Sequence, residues 1–116
     1  MFIGKIKKSR EFSLVFRAGK YLKLPSLVIQ FRIKSIDEDT YTSRYGIIVS
    51  KKVGNAVKRN FAKRRLRAIL NNINFAFENY PMDYVFVANK KLLKIKFSAL
   101  NIELCNALKK INQLGT

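Results

Sequence analysis

Residues 51–67 read KKVGNAVKRNFAKRRLR, with eight Lys or Arg and no Asp or Glu. This stretch sets the strongest constraint on the chain. It follows an apolar, strand-like run, YGIIV at 45–49. Gly54 allows a sharp turn. The side-chain oxygen of Asn55 can then accept from a first-turn amide and cap a helix. That helix is expected over Ala56–Asn72. Arg59, Lys63 and Arg67 recur at i, i+4 and i+8 and so share a face, flanked by Asn60 and Arg64. Ala62, Leu66, Ile69, Leu70 and Ile73 form the opposing apolar stripe. Cations this close, with no acid between them, repel one another unless a polyanion neutralises them.

The chain has 116 residues, enough for one domain (residues 1–116) with a real core. It carries 24 basic and 7 acidic side chains, a net charge of +17. That balance points to nucleic acid or an anionic membrane surface. No apolar run approaches the ~20 residues of a membrane span. The N-terminus, MFIGKIKKSR, lacks the apolar segment of a signal peptide. Cys105 is the single cysteine, which excludes an internal disulfide and fits a reducing cytoplasm. There is no histidine. The commonest general base is therefore missing, and a Cys/His zinc site is impossible.

Ser9 is expected to open a first helix, Ser9–Ala18, with Phe12, Val15 and Phe16 on one face and Gly19 ending it. Lys5, Lys7, Lys8, Arg10, Arg17, Lys20 and Lys23 flank it. Leu27–Ile33 alternates as a strand, with Leu27, Ile29, Phe31 and Ile33 on one face and Val28, Gln30 and Arg32 on the other. The acidic segment around Asp37, Glu38 and Asp39 reads as a solvated turn. A second strand, 44–50, is expected antiparallel to the first across it. Asn71, Asn72 and Asn74 mark the end of the basic helix; Phe75 and Phe77 read either as a turn or as packing on the sheet. A third strand is expected over 84–88, then a basic loop with Lys90, Lys91, Lys94 and Lys96. The last helix, over 98–113, has the stripe Leu100, Leu104, Ala107, Leu108 and Ile111. The order α-β-β-α-β-α suggests an α/β (α+β) fold, a small open sheet with helices on one side. The general rule makes a crossover through the basic helix right-handed if its strands are parallel.

Catalytic groups are scarce. A two-metal site needs clustered carboxylates on rigid elements. Here three acids share one turn and the rest are scattered, so neither catalytic nor metal-binding residues are assigned. Cys105 has no histidine to activate it. GNAVKRN lacks the Gly-Lys-Ser/Thr ending of a phosphate loop. Phosphate contact is the natural reading of the basic helix. Asn60 either touches a base or ribose or is merely exposed. Phe12 and Phe16 are either core residues or stacking surfaces for unpaired bases.

Residues 44–60, RYGIIVSKKVGNAVKRN, followed by Lys63, Arg64 and Arg67, resemble the signature of the bacterial ribonuclease P protein subunit. Arg10-Glu11-Phe12 with Val15, Phe16 and Gly19 is similar to that family too. So is Asp83-Tyr-Val-Phe-Val-Ala before a basic loop and a final helix. The resemblance spans nearly the whole chain. It implies a single RNA-binding domain, a two-layer α/β sandwich with a left-handed crossover through the basic helix, and a cytoplasmic ribonucleoprotein. The catalyst would be a large RNA using Mg²⁺ bound mainly by RNA. The partners would be that RNA and precursor tRNA, one protein per RNA, with no membrane. The complex would be an endonuclease removing the 5′ leader.

The family's surfaces map onto particular residues. Lys51, Lys52, Asn55, Lys58, Arg59, Asn60, Lys63, Arg64 and Arg67 would meet the catalytic RNA. Phe12, Phe16, Arg17, Gln30 and Arg32 would line a cleft for the single-stranded leader. Two departures stand out. Phe61 replaces the third basic residue of an Arg-Asn-Arg triplet, leaving that contact absent or supplied by Arg65. The sheet side of the cleft carries Gln30, or Phe31 if the register slips, where the family often has an aromatic. The alternative is another RNA-binding protein, such as a ribosomal protein or RNA chaperone. A DNA-binding or membrane-surface role has weaker support: the basic helix lacks a large apolar face.

Overall fold

A computed structural model of the chain describes residues 4–34, 43–73 and 82–114. The acidic turn residues Asp37, Glu38 and Asp39, and also Asn74, Phe75 and Phe77, lie outside them. The elements are β1 (Gly4–Lys5), α1 (Ser9–Ala18), β2 (Lys20–Lys23), β3 (Leu27–Ile33), β4 (Arg44–Val49), α2 (Ala56–Asn72), β5 (Met82–Ala88) and α3 (Phe97–Leu114). Single 3₁₀ turns precede α2 at Lys51–Val53 and α3 at Lys90–Leu93. The expected α-β-β-α-β-α series is present, with the short strand β1 added before α1 and β2 added between α1 and β3.

The described strands form one sheet in the order β1-β4-β5-β3-β2. β3 and β4 do not pair, as was expected of them. β5 lies between them, antiparallel to β3 and parallel to β4. The reason lies in β5 itself. MDYVFVA is buried on both faces for almost its whole length, the pattern of a central strand.

Alternation gives each face its own role. Leu27, Ile29, Phe31, Tyr45, Val49, Tyr84 and Phe86 pack with Leu66, Ile69 and Leu70 of α2 and Leu100, Leu104 and Leu108 of α3. This is the two-layer sandwich. α1 takes the opposite face, where Val15 packs with Ile6 and Val85, and Phe12, Ile48 and Val87 close round them. Helices therefore cover both faces rather than one. The ten residues of α1 cover only part of that face, where Val28, Gln30, Arg32, Ile48 and Val87 stay half-buried.

The hand of the crossover follows from one hydrogen bond. Tyr45 belongs to the α2–α3 face, and its carbonyl accepts at 2.9 Å from the N–H of Ile6, the residue that follows β1. View that face with β4 running upward. An L-residue pointing at the viewer sends its own N–H and C=O to the right. β1 thus lies to the right of β4 and β5 to the left. A connection in front of the sheet that steps leftward is left-handed. The general right-handed rule fails here, and the hand implied by the resemblance holds.

Candidate nucleic-acid interface

α2 is positioned from its first turn. Val53 is buried and anchors the 3₁₀ turn, so Lys51 and Lys52 stay exposed. Gly54 has φ 155°, and a Cβ there would lie 2.7 Å from Lys58 Cδ. Asn55 Oδ1 accepts from Lys58 N–H at 3.0 Å, the expected cap. Ala62, Leu66, Ile69, Leu70 and Ile73 are all buried. That leaves Lys58, Asn60, Arg64 and Arg67 exposed, with Arg59 and Lys63 half-buried. Asn60, Arg64 and Arg67, with Val57, line a shallow recess of about 400 Å³.

Lys63 and Arg67 also reach the edge of the sheet. There they border a smaller groove, about 160 Å³, with Lys5, Ile6, Phe12, Tyr45, Gly46 and Ile47. The cationic helix and the α1 side therefore meet around the β1–β4 edge. A further cleft, about 620 Å³, opens at the ends of β4 and β5 between Ser50, Lys52, Val53, Ala88, Asn89, Lys90 and Lys91.

Arg65 takes no part in the cationic face. Its Nη1 donates to Leu92 O at 2.6 Å, its Nη2 donates to Ile95 O, and its guanidinium lies 5.3 Å from the Phe61 ring centre. It fastens the turn before α3 onto α2. It does not stand in for the cation missing at Phe61.

On the α1 face, the helix opens at Ser9 as expected, and Lys8 before it is the cap residue: its backbone N–H donates to Glu11 Oε1 at 3.1 Å. Gly19, at φ 71°, ends the helix as expected. The Phe12 ring packs against Gly46, where an added Cβ would stand 2.5 Å from Phe12 Cε1. Phe12 is thus largely a packing residue. Phe16 is 39% exposed and Arg17 is exposed. On the sheet, Gln30 faces α1, half-buried, whereas Phe31 is 4% exposed within the opposite core. The strand parity read from the sequence therefore holds, and the alternative register fails.

Arg32 is on the expected face but is already engaged. Its Nη2 lies 3.2 Å from Asp83 Oδ2. Asp83 is fully buried and also meets Arg44 Nη2 at 2.9 Å and Lys34 Nζ at 3.9 Å. Arg44 reaches on to Glu11 of α1. The hydrogen bond from Arg44 lowers the Glu11 pKa; the contacts with Asp83 and Glu11 raise that of Arg44. These acids are neutralised by arginines, and among the described residues no three metal-ligating side chains come together. They do not fit a protein-held Mg²⁺ site.

Tyr21 was missed in the sequence. It pairs with Gln30 across β2 and β3 and so shares the α1 face. It is 65% exposed. The four residues of β2, between Gly19 and Leu24, are too few for alternation to announce a strand.

Fold and surface define a small, strongly basic α+β protein with a cation-bearing crossover helix. The Ribonuclease P family profile matches residues 4–112. The ribonuclease P protein component of Nitratiruptor sp. is 38% identical over 109 residues, 93% of this chain and 92% of that one. That of Mycoplasma mycoides is 36% identical over 107 residues, 91% and 94% of the two chains. The ribonuclease P protein structure from Thermotoga maritima superposes with a TM-score of 0.76 at 32% identity, covering 91% of this chain and 96% of that one. The chain belongs to the ribonuclease P protein family, the protein component of that ribonucleoprotein.

Proposed function

We propose that this chain holds two RNAs at once in the cytoplasm. Lys51, Lys52 and Asn55, with Lys58, Arg59, Asn60, Lys63, Arg64 and Arg67 of α2, bind phosphates of a catalytic RNA, one protein per RNA. The α1 cleft, through Phe16, Arg17 and Gln30, binds the single-stranded 5′ leader of precursor tRNA. RNA performs the cleavage with RNA-bound Mg²⁺. The protein lowers the Mg²⁺ needed and tightens substrate binding by neutralising phosphates that otherwise repel leader from catalytic RNA. The observation that carries this reading is the acid-free cationic face of α2, with which no acid among the described residues forms an ion pair.

The test is reconstitution with the RNA subunit. Precursor tRNA with its leader should bind more tightly than leaderless tRNA, and cleavage should need less Mg²⁺ when the protein is present. With ~6 or more phosphates contacted, affinity for the RNA subunit should fall about 10³-fold or more between ~50 and ~200 mM salt. A flat salt response, or equal binding of the two tRNAs, would refute the respective half of the proposal.

A further inference from the structure

Tyr21 lies on β2, the outermost strand of the sheet at that edge. Its rung runs Tyr21, Gln30, Val85, Gly46, all on the α1 face. The Gly46 end of the rung is closed by the Phe12 ring, and Val85 is buried under Val15. Gln30 is half-buried and Tyr21 is 65% exposed, so the rung opens progressively toward β2. Among the described residues the Tyr21 hydroxyl has no hydrogen-bond partner, and its ring has no aromatic partner. A tyrosine usually buries its ring and wets only its hydroxyl. This one presents both to solvent.

Its surroundings are cationic. Lys23 follows two residues later on the same face. Arg17 lies in the last turn of α1, whereas Lys20 pairs with Phe31 and so belongs to the other face. An exposed aromatic between cations, next to a side-chain amide, suits a single-stranded nucleotide: the ring stacks on the base, the cations meet flanking phosphates and the amide can reach a base edge.

We infer that Tyr21 is a base-stacking residue of the leader cleft, with Gln30 beside it as the polar contact and Lys23 as the phosphate contact. The inference rests on the leader-binding reading and places one unpaired base on β2, a strand no site residue was expected to occupy.

The test uses the reconstituted holoenzyme, with precursor tRNA and leaderless tRNA measured in parallel for each variant. Tyr21→Ala should weaken leader-bearing substrate about 5- to 150-fold and leave leaderless tRNA unchanged. Tyr21→Phe should stay within about twofold of the parent, since the π-face is kept. Tyr21→Ala with Gln30→Tyr should regain part of the loss, because the ring returns to the same rung. Equal binding by Tyr21→Ala and parent, while Phe16→Ala loses leader-dependent affinity, would overturn the role of Tyr21 and leave leader binding standing. An equal loss on both tRNAs would overturn it too. If even the parent fails to distinguish the two tRNAs, leader binding itself falls and this inference with it.

Discussion

Arg44 grips Asp83 with two parallel hydrogen bonds, Nε to Oδ1 at 3.1 Å and Nη2 to Oδ2 at 2.9 Å. The two residues are direct partners in the β4–β5 register. Arg44 also reaches Glu11, so the fork joins the sheet centre to α1. A guanidinium fits a carboxylate edge in this way through its planar pair of donors. The pair therefore helps set where α1 sits over the sheet, and hence the shape of the cleft beside it.

Removing the buried acid should be costly. Asp83→Ala removes the buried carboxylate that Arg32, Arg44 and Lys34 share. A loss of about 3–5 kcal/mol is expected, as for other buried ion pairs broken from one side. Urea unfolding of parent and variant at pH 7 measures it. A loss under ~1 kcal/mol would mean that water already reaches the cluster.

The Glu11 link should be acid-sensitive. Its folded pKa is depressed, chiefly by the hydrogen bond from Arg44, below the ordinary value of 4.5. Its contribution is therefore complete above that value and disappears as pH falls through the lower, folded value. Glu11→Gln should be less stable than the parent at pH 7, and the gap should close only below pH 4.5. Denaturation midpoints from neutral to strongly acid pH show whether it does.

Gly46 is required by Phe12. Gly46→Ala should force the ring off the sheet and cost about 1–3 kcal/mol, the usual range for overpacking. Phe12→Ala in the same chain should relieve part of that cost, so that the two changes are less than additive. Strict additivity in thermal unfolding would show that the ring has room to move.

Arginines one residue apart on α2 should behave differently. Arg64→Ala should reduce the salt dependence of binding to the ribonuclease P RNA, by about 1 in log–log slope if it meets one phosphate. Arg65→Ala should leave that slope unchanged and instead lower stability by about 1–3 kcal/mol, because the Leu92 and Ile95 carbonyls lose their donor. Salt titrations and urea melts on both variants separate the roles. A changed slope for Arg65→Ala would place it on the RNA surface after all.

Much of the local structure was legible in the residues. The acid-free run, Gly54 and the Asn55 cap specified α2 and its exposed cationic side. The 3.6-residue spacing of Leu66, Ile69 and Leu70 and the two-residue alternation of β3 identified which side chains enter the core. That Gln30 shares a face with Val28 and Arg32 followed from parity, and the family resemblance placed that face toward α1. Such signals are complete within a few consecutive residues, so they need no knowledge of the rest of the fold.

What joins distant segments was decided only in three dimensions. β5 enters between β3 and β4 and brings Arg32, Arg44 and Asp83 onto one rung, so Arg32 is an ion-pair residue before it can be a cleft residue. Arg65 turns inward to carbonyls nearly thirty residues away in sequence. Tyr21 acquires its face from Gln30, across a strand too short to announce itself. The crossover takes the hand that the general rule disfavours. Each outcome depends on strand order and register, set by burial summed over the whole sheet, and no short window of sequence carries that sum.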